Sequence, residues 1–179
     1  MIVGAVLAAG AGTRIGGPKA GLVVSGVRLV DRAVAALRDG GCDDVLAIVR
    51  TGEDVPAATV VVNPDPDRGL RSSLQCAVDA APEADALVVV LVDMPGIGAD
   101  AIGTVIGAWQ PGRIAAGVLG GRAGHPVAMS PALWRDAIAL AGPDEGARRL
   151  LAARPDLVDA VVVAGDPADI DEPADLPDV

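Results

Sequence analysis

The chain contains neither phenylalanine nor tyrosine, and its only aromatic residues are Trp109 and Trp134. A bound nucleobase would therefore rest on aliphatic side chains and backbone rather than on an aromatic platform. Basic residues are also scarce, since 14 of them face 24 acidic residues and the formal net charge is −10. This balance argues against a general nucleic-acid-binding protein, which needs a basic face. It does not exclude a nucleotide, because one local cluster of cations can hold phosphates.

Cysteines are few, and a long apolar run is missing. Cys42 and Cys76 are far apart and lack metal-ligand spacing, so we expect reduced thiols and a cytoplasmic protein. No uninterrupted apolar stretch has membrane-spanning length, and no cationic region precedes the apolar start. We therefore expect no membrane partner and no secretory signal. A length of 179 residues favours one domain, 1–179, with a substantial core.

Apolar runs alternate with segments of helical periodicity along the chain. Continuous Val, Ile and Leu runs are typical of strands covered on both faces. Strands are predicted over 2–7, 45–50, 59–62, 87–92, 114–118, 126–130 and 158–163, and helices over 29–39, 70–80, 99–109, 131–140 and 145–153. The alternation predicts an α/β fold, a three-layer α/β/α sandwich around a mainly parallel, Rossmann-like sheet. Ligands of such folds bind at the carboxyl ends of the strands.

The most informative segment is the glycine-dense loop 7–19, which reads LAAGAGTRIGGPK and follows the first predicted strand. Glycines let backbone N–H groups converge on an anion and let it approach closely. Arg14 and Lys19 add two cations, and Lys19 is the only lysine in the chain. The arrangement suits a triphosphate, so we predict the active site here.

Two common phosphate loops fit this segment poorly. A P-loop needs Gly-Lys-Ser/Thr, but Pro18 separates Gly17 from Lys19, and Ala20 carries no hydroxyl group for a metal. A dinucleotide-binding fingerprint needs a glycine where the chain has Ile15.

The loop instead resembles the signature L-A-(A/G)-G-x-(S/G)-x-R-x-G-x-(P/D)-K of nucleotidyltransferases with the nucleotide-diphospho-sugar transferase fold. Within them it is most similar to the MobA/MocA-like enzymes, which attach CMP or GMP to the molybdenum–pterin cofactor. The resemblance implies that fold, and it implies catalytic roles for Lys19, Arg14 and Asp93. It also implies nucleotide contacts from Leu7, Ala8, Ala9, Gly10, Gly12, Thr13, Arg14 and Lys19.

Asp93 follows the fourth predicted strand, in the sequence VVVLVDMP. A carboxylate at this point is well placed to hold Mg²⁺, which takes few protein oxygens together with substrate phosphates. The alternative is a strand-end aspartate that is solvated or caps the next helix. The resemblance favours the metal, because the family has Asp-x-Pro here and its aspartate binds the ion.

The acidic segment 169–176 resembles the family's terminal D-(I/V)-(D/N)-T-P-E-D-L, whose first residues return to the metal. It implies Asp171 as the second metal ligand, with Asp169 behind it, whereas Asp175 is expected to cap the terminal segment. The alternative for an acidic terminus is plain solvation.

Residues 69–74 resemble the family's G-x-x-x-S-L helix start. Free N–H groups at a helix start, with the hydroxyl groups of Ser72 and Ser73, can bind a base edge or a phosphate. Ser72 could equally be only an N-cap. Asn63 can donate and accept, which suits reading a base edge, but a turn residue before Pro64 is nearly as good an explanation.

Two further segments resemble acceptor-side elements of the family. Gly124 and His125 match its G-(H/x)-P element after a mobile-looking stretch, 117–124, and Arg148 matches its G-D-x-G-A-R motif, with Pro143 replacing the first glycine. We assign His125 a contact with the acceptor or a structural role, not acid–base catalysis, because an attacking phosphate is already anionic. Arg148 either contacts the acceptor's phosphate or is an exposed helix arginine.

The resemblance thus implies a Mg²⁺-dependent transfer of CMP or GMP from CTP or GTP to a molybdopterin-type acceptor, with a molybdoenzyme as a possible partner. Ala9 favours CTP because its methyl group narrows the base pocket, although Gly16-Gly17 and Gly21-Leu22 are reminiscent of guanylyl enzymes. The rivals are a nucleotidyltransferase for another phosphorylated acceptor, such as a sugar phosphate, and a non-catalytic nucleotide-binding maturation factor.

Overall fold

Strands and helices alternate along most of the chain. The computed structural model describes residues 1–175. The strands are β1 (Ile2–Leu7), β2 (Val23–Val24), β3 (Val27–Arg28), β4 (Asp44–Val49), β5 (Thr59–Val62), β6 (Ala86–Leu91), β7 (Ile114–Leu119), β8 (Arg122–Met129) and β9 (Val158–Val162). The α-helices are α1 (Leu29–Asp39), α2 (Leu70–Ala80), α3 (Ala99–Ala108), α4 (Pro131–Leu140) and α5 (Arg148–Ala153).

Seven strands form one sheet in the order β5-β4-β1-β6-β8-β7-β9. The pairs β5–β4, β4–β1, β1–β6 and β7–β9 are parallel, whereas β8 runs antiparallel to both β6 and β7. The predicted α/β fold with a mainly parallel sheet is therefore confirmed.

Helices cover both faces of this sheet, because successive side chains of a strand point to opposite sides. In β1, Val6 packs with α1 and α3, while Ala5 and Leu7 pack with α2, α4 and α5. The two hydrophobic clusters lie on opposite faces of the sheet. The predicted three-layer α/β/α sandwich follows from this alternation.

Helix α1 shows how local sequence determines an element. Its apolar stripe recurs at helical spacing, and Leu29, Val30, Val34 and Leu37 are fully buried against the sheet. The helix ends at Gly40-Gly41, where Gly41 has φ +102°.

Three regions account for the main differences from the predicted elements. The stretch 117–124, which looked like a mobile loop in the sequence, instead contains the end of β7 and the start of β8, which pair in a hairpin. Strand β8 therefore begins four residues before the predicted strand. The predicted helix 145–153 begins only at Arg148. The two-stranded β2–β3 hairpin was not predicted, since its strands are only two residues long. Within residues 1–175, no helix has the length and apolar character needed to cross a membrane.

Candidate active site

A cleft of about 430 Å³ opens at the carboxyl ends of β4, β1 and β6. Leu7, Ala9 and Gly10 of the glycine loop line it, together with Lys19 and Asp93. The cleft therefore lies where the loop and the strand-end aspartate were predicted to converge.

Lys19 joins the two predicted metal ligands. Its Nζ lies 2.9 Å from Asp93 Oδ2 and also donates to Asp171 Oδ1. Burial is the largest single influence on the pKa of Lys19 and lowers it, but the hydrogen bonds to Asp171 and Asp93 outweigh it, so the pKa is raised. The ammonium therefore stays charged, and three residues from distant parts of the chain form one charged cluster.

The chain after β9 reaches this cluster through one buried side chain. Ile170 is only 4% exposed, and its N–H donates to the Asp93 carbonyl oxygen at 2.8 Å. This contact places Asp171 beside Lys19, whereas Asp169 is exposed and has no hydrogen bond within residues 1–175.

Asp175 closes the terminal turn, as predicted. Its Oδ2 accepts from the N–H groups of Glu172 at 2.8 Å and Asp171 at 3.0 Å. These backbone hydrogen bonds lower the pKa of Asp175.

The cluster has the donor chemistry that Mg²⁺ requires. Asp93 Oδ1 is buried and has no hydrogen-bond partner among residues 1–175. A buried polar atom without a partner is costly, and a bound cation would satisfy it. Those residues contain no group of three His, Cys, Asp or Glu side chains that could hold a metal by itself. Asp93 and Asp171 could supply two carboxylate ligands to such an ion, and their role as metal ligands stays a prediction.

The glycine loop forms a tight turn around Gly12. The Gly12 carbonyl accepts from the N–H groups of Ile15 at 3.0 Å and Gly17 at 3.1 Å, and Gly12 has φ +58°. A Cβ on Gly12 would lie 1.8 Å from the Gly17 carbonyl oxygen, so only glycine fits.

Not every predicted loop residue reaches the cleft. The N–H of Ala8 donates to the Ile48 carbonyl at 2.8 Å, which continues the sheet rather than facing an anion. Thr13 and Arg14 are exposed on the turn, and within residues 1–175 Arg14 has no ion pair or hydrogen bond. The structure thus brings Lys19, but not Arg14, to Asp93. A phosphate contact by Arg14 stays a prediction.

Asn63 and Ser72 do not line this cleft. Asn63 Nδ2 donates to Ser72 Oγ at 2.9 Å and Ser73 Oγ at 3.1 Å, and its Oδ1 accepts from the Asp65 N–H at 2.9 Å. The Asn63 amide therefore joins the end of β5 to the start of α2. Asn63 and Ser72 both border a separate cavity of about 470 Å³. Ser73 lines the main cleft, whereas Asn63 and Ser72 do not.

The N-cap interpretation of Ser72 is wrong. The N-cap position of α2 is Gly69, which has no side chain to form a capping bond. Ser72 Oγ lies 2.9 Å from the Gly69 carbonyl and 3.1 Å from the Asp65 carbonyl, so its hydroxyl group donates to the backbone. It accepts from the Asn63 side chain, but within residues 1–175 it accepts from no backbone N–H group of α2.

His125 is held against the neighbouring strand. Its Nδ1 lies 3.0 Å from the Val89 carbonyl oxygen, which can only accept, so Nδ1 carries the proton. Burial lowers the pKa of His125, although the Val89 carbonyl and the charge of Asp93 oppose it. The imidazole is therefore neutral near pH 7. Its neighbour Gly124 is half-buried in β8 and pairs with Gly117.

Arg148 is exposed at the start of α5 and does not line the main cleft, whereas Asp144 from the same motif does. The turn that contains Pro143 and Asp144 packs on the start of α2, where Gly69 has φ +86°. The Pro143 carbonyl accepts from the Arg71 N–H at 3.0 Å, which gives the proline-containing turn a structural role.

Two cleft residues, Arg50 and Asp67, were not predicted from the sequence. Arg50 Nε donates to the Ala9 carbonyl at 2.8 Å, Nη2 donates to Asp67, and all three residues line the cleft. A signal was present: Arg50 stands at the carboxyl end of a predicted strand, the position that drew attention to Asp93.

Curated relatives of the chain have two kinds of name. Over 175 residues it is 33% identical to "Nicotine blue oxidoreductase" of Paenarthrobacter nicotinovorans, which covers 89% of this chain and 86% of that one. Over 117 residues it is 37% identical to "Probable molybdenum cofactor guanylyltransferase" of Opitutus terrae, which covers 63% of this chain and 57% of that one.

Solved structures share the fold over nearly the whole chain. A nucleotidyl transferase from Methanothermobacter superposes with TM-score 0.83 at 23% identity, covering 98% of this chain and 94% of that one. Rv0371c of Mycobacterium tuberculosis in complex with manganese gives 0.77 at 25% identity, covering 97% and 95%. The 2-C-methyl-D-erythritol 4-phosphate cytidylyltransferase of Thermus thermophilus gives 0.70 at 24% identity, covering 98% and 95%.

The model of one family matches residues 4–168, a range that includes the glycine loop, the cleft and Asp93. That range spans nearly all of the chain. In the cleft, Lys19 of the loop signature lies beside the strand-end carboxylate of Asp93. The chain belongs to the family of MobA-like NTP transferase domains and is a nucleotidyltransferase.

Proposed function

We propose that the chain transfers CMP, or alternatively GMP, from the corresponding NTP to a molybdopterin-type acceptor and releases pyrophosphate with the aid of Mg²⁺. The observation that carries this proposal is the cluster of Lys19, Asp93 and Asp171 at one end of the cleft. A divalent ion there is supported by Asp93 Oδ1, which has no hydrogen-bond partner within the described residues 1–175, and by the manganese complex of a relative.

In the proposed reaction an anionic phosphate oxygen of the acceptor attacks the α-phosphorus in line. The new P–O bond forms as the bond to pyrophosphate breaks, and no proton needs to be removed. Asp93 and Asp171 would hold Mg²⁺, which supplies positive charge beside the reacting phosphates. Lys19 contributes a compact point charge next to the α-phosphate, and positioning together with electrostatics lowers the barrier.

The proposed preference for CTP rests on Ala9. Its side chain is 2% exposed in the wall of the cleft and narrows the space for a base. GTP remains the alternative, supported by the name of the Opitutus relative.

The primary test measures pyrophosphate release from each of the four NTPs with Mg²⁺ and authentic molybdopterin, with the product identified by mass spectrometry. We expect a dinucleotide product with CTP, and loss of turnover in Asp93→Asn, which keeps the side-chain shape but removes the charge. Nucleotide at about 100 times its dissociation constant should add about 2.7 kcal/mol of stability. No product with any NTP would contradict the proposed reaction.

Two other outcomes of this test distinguish the rivals. Turnover with a sugar phosphate but not with molybdopterin would favour the acceptor class named for the Thermus structure. Nucleotide binding without turnover on any acceptor would favour a non-catalytic maturation factor.

A second candidate function is a redox reaction, favoured by the 33% identity to nicotine blue oxidoreductase. The two cysteines offer little redox chemistry, since burial raises the pKa of the Cys42 thiol to about 12 and also raises the pKa of Cys76. An oxidoreductase would therefore need a bound electron donor. Binding of NADH or NADPH in the cleft, with oxidation by a dye and no pyrophosphate release, would establish this candidate instead.

A further inference from the structure

Arg50 connects two segments of the cleft wall through one guanidinium group. It follows β4 directly, and its side chain is 25% exposed. Nε donates to the Ala9 carbonyl at 2.8 Å, and Nη2 donates to Asp67 Oδ1. Ala9 belongs to the glycine loop, and Asp67 belongs to the 3-10 helix Pro66–Arg68, which follows β5. The planar guanidinium group of Arg50 therefore links a backbone carbonyl of one segment to a carboxylate of another, although the two segments are far apart in the chain.

The position of Arg50 assigns it to one end of the cleft. Strand β1 lies between β4 and β6 in the sheet. Lys19 and Asp93 lie at the β6 side of the cleft, and Arg50 lies at the β4 side. Under the proposed function the triphosphate would bind at the Lys19 end, and the nucleoside would then extend toward Arg50. The Arg50 charge is already paired with Asp67, so it differs from a free phosphate-binding cation.

We propose that Arg50 is a positioning residue for the nucleotide, because it holds the Ala9 carbonyl and Asp67 in the wall that meets the nucleoside end. This inference rests on the proposed nucleotidyltransferase function. Nucleotide affinity then depends on the Arg50–Asp67 pair as a unit. The saturated turnover rate does not, since the reacting phosphates lie at the other end.

An ordinary surface ion pair would behave differently. Asp67 is 82% exposed, and exposed pairs contribute little by themselves. What distinguishes Arg50 is the second hydrogen bond, to a carbonyl of a residue that is only 2% exposed. A lysine carries one point charge without the planar fork and cannot reproduce both bonds in that geometry.

The experiment is a double-mutant cycle on the intact chain, with calorimetric dissociation constants for CTP and GTP in Mg²⁺. Arg50→Ala and Asp67→Ala are each expected to weaken binding of the preferred nucleotide about tenfold, and the double variant about as much as either alone. Arg50→Lys should resemble Arg50→Ala. In all of these variants kcat at saturating nucleotide should stay within about twofold of the parent value.

The pair Arg154–Asp156 is the matched control. It is also a guanidinium–carboxylate pair, joined by bonds of 3.0 and 2.8 Å, but it does not line the cleft. Arg154→Ala and Asp156→Ala should leave nucleotide affinity unchanged. Thermal melting of every variant identifies misfolded protein, and Asp67→Ala tests the pair even if Arg50→Ala fails to fold, because Asp67 is exposed.

Any of three results would overturn the role of Arg50. The effects of the two substitutions could be additive, Arg50→Lys could restore full affinity, or kcat could fall without a loss of affinity. Absence of NTP binding by the parent protein would instead contradict the proposed function itself.

Discussion

Lys19 Nζ lies 2.9 Å from Asp93 Oδ2, although 74 residues separate the two in the chain. The loop after β1 and the end of β6 meet because β1 and β6 are parallel neighbours, with Leu7 opposite Leu91. The same ammonium contacts Asp171, so one cation links three segments of the site.

Lys19→Ala should lower kcat far more than nucleotide affinity. We expect a loss of about a hundredfold or more in kcat, as for removal of a donor aimed at developing charge, with the nucleotide dissociation constant changed less than tenfold. Steady-state kinetics and calorimetry measure the two effects separately. Arg14→Ala is the comparison, because we expect that exposed cation to act mainly on affinity. A pure affinity loss at Lys19 would reduce it to an anion-binding residue.

Ile170→Ala should disturb the site without touching a metal ligand. Removing a buried isoleucine side chain typically costs about 2 kcal/mol or more, and here it also loosens the segment that brings Asp171 to Asp93. We expect a lower unfolding free energy in urea and weaker Mn²⁺ binding in the presence of nucleotide. Val162→Ala is the control, since Val162 is 82% exposed and its truncation should change neither quantity. Equal Mn²⁺ affinity in Ile170→Ala and the parent would show that the docked segment is not needed for the metal.

Gly69→Ala should be more costly than an ordinary left-handed glycine substitution. A Cβ at Gly69 would lie 2.4 Å from Asp144 Oδ1 and 2.5 Å from the Pro143 carbonyl oxygen. We expect about 1–3 kcal/mol of lost stability in urea unfolding, from strain and from displacement of that turn. Gly26→Ala is the matched control, because Gly26 has φ +79° but open space around its Cβ position. Equal losses at the two positions would mean that the close approach contributes nothing.

His125 should make the protein less stable as the pH falls below neutrality. Burial lowers the folded-state pKa of His125, so the unfolded chain, with a pKa near 6.5, takes up the proton first. Its contribution to stability is therefore complete above about pH 6.5 and declines as pH falls toward the lowered folded-state pKa. Urea unfolding of parent and His125→Gln, from about one pH unit above to about one and a half units below the unfolded-state pKa, isolates the effect. The stability advantage of the parent over the variant should shrink with acidification, and a constant difference would contradict the assignment.

The sequence by itself determined the layers of the fold and the two segments that meet at the cleft. Continuous Val, Ile and Leu runs and helical stripes are local patterns, and they suffice for strands buried on both faces and for helix α1. The glycine loop and Asp93 were found because the carboxyl ends of parallel strands meet at one edge of a sheet. The meeting of Lys19 and Asp93 was therefore predictable from their positions, whereas their catalytic and metal-binding roles were implied by the family resemblance and stay predictions.

Only the tertiary structure decided which polar groups face the cleft. Asn63 had the right chemistry for a base edge, but its amide groups are taken by Ser72, Ser73 and Asp65. Arg50 stands at a visible strand end, but its contact with the glycine loop could not be predicted, because the partner of its Nε is a backbone carbonyl, which leaves no trace in side-chain patterns. The reversed direction of β8 and the approach of Asp171 depend on long-range pairing and on the burial of Ile170. Local periodicity carries no information about such contacts, because their partners are set by how distant segments pack.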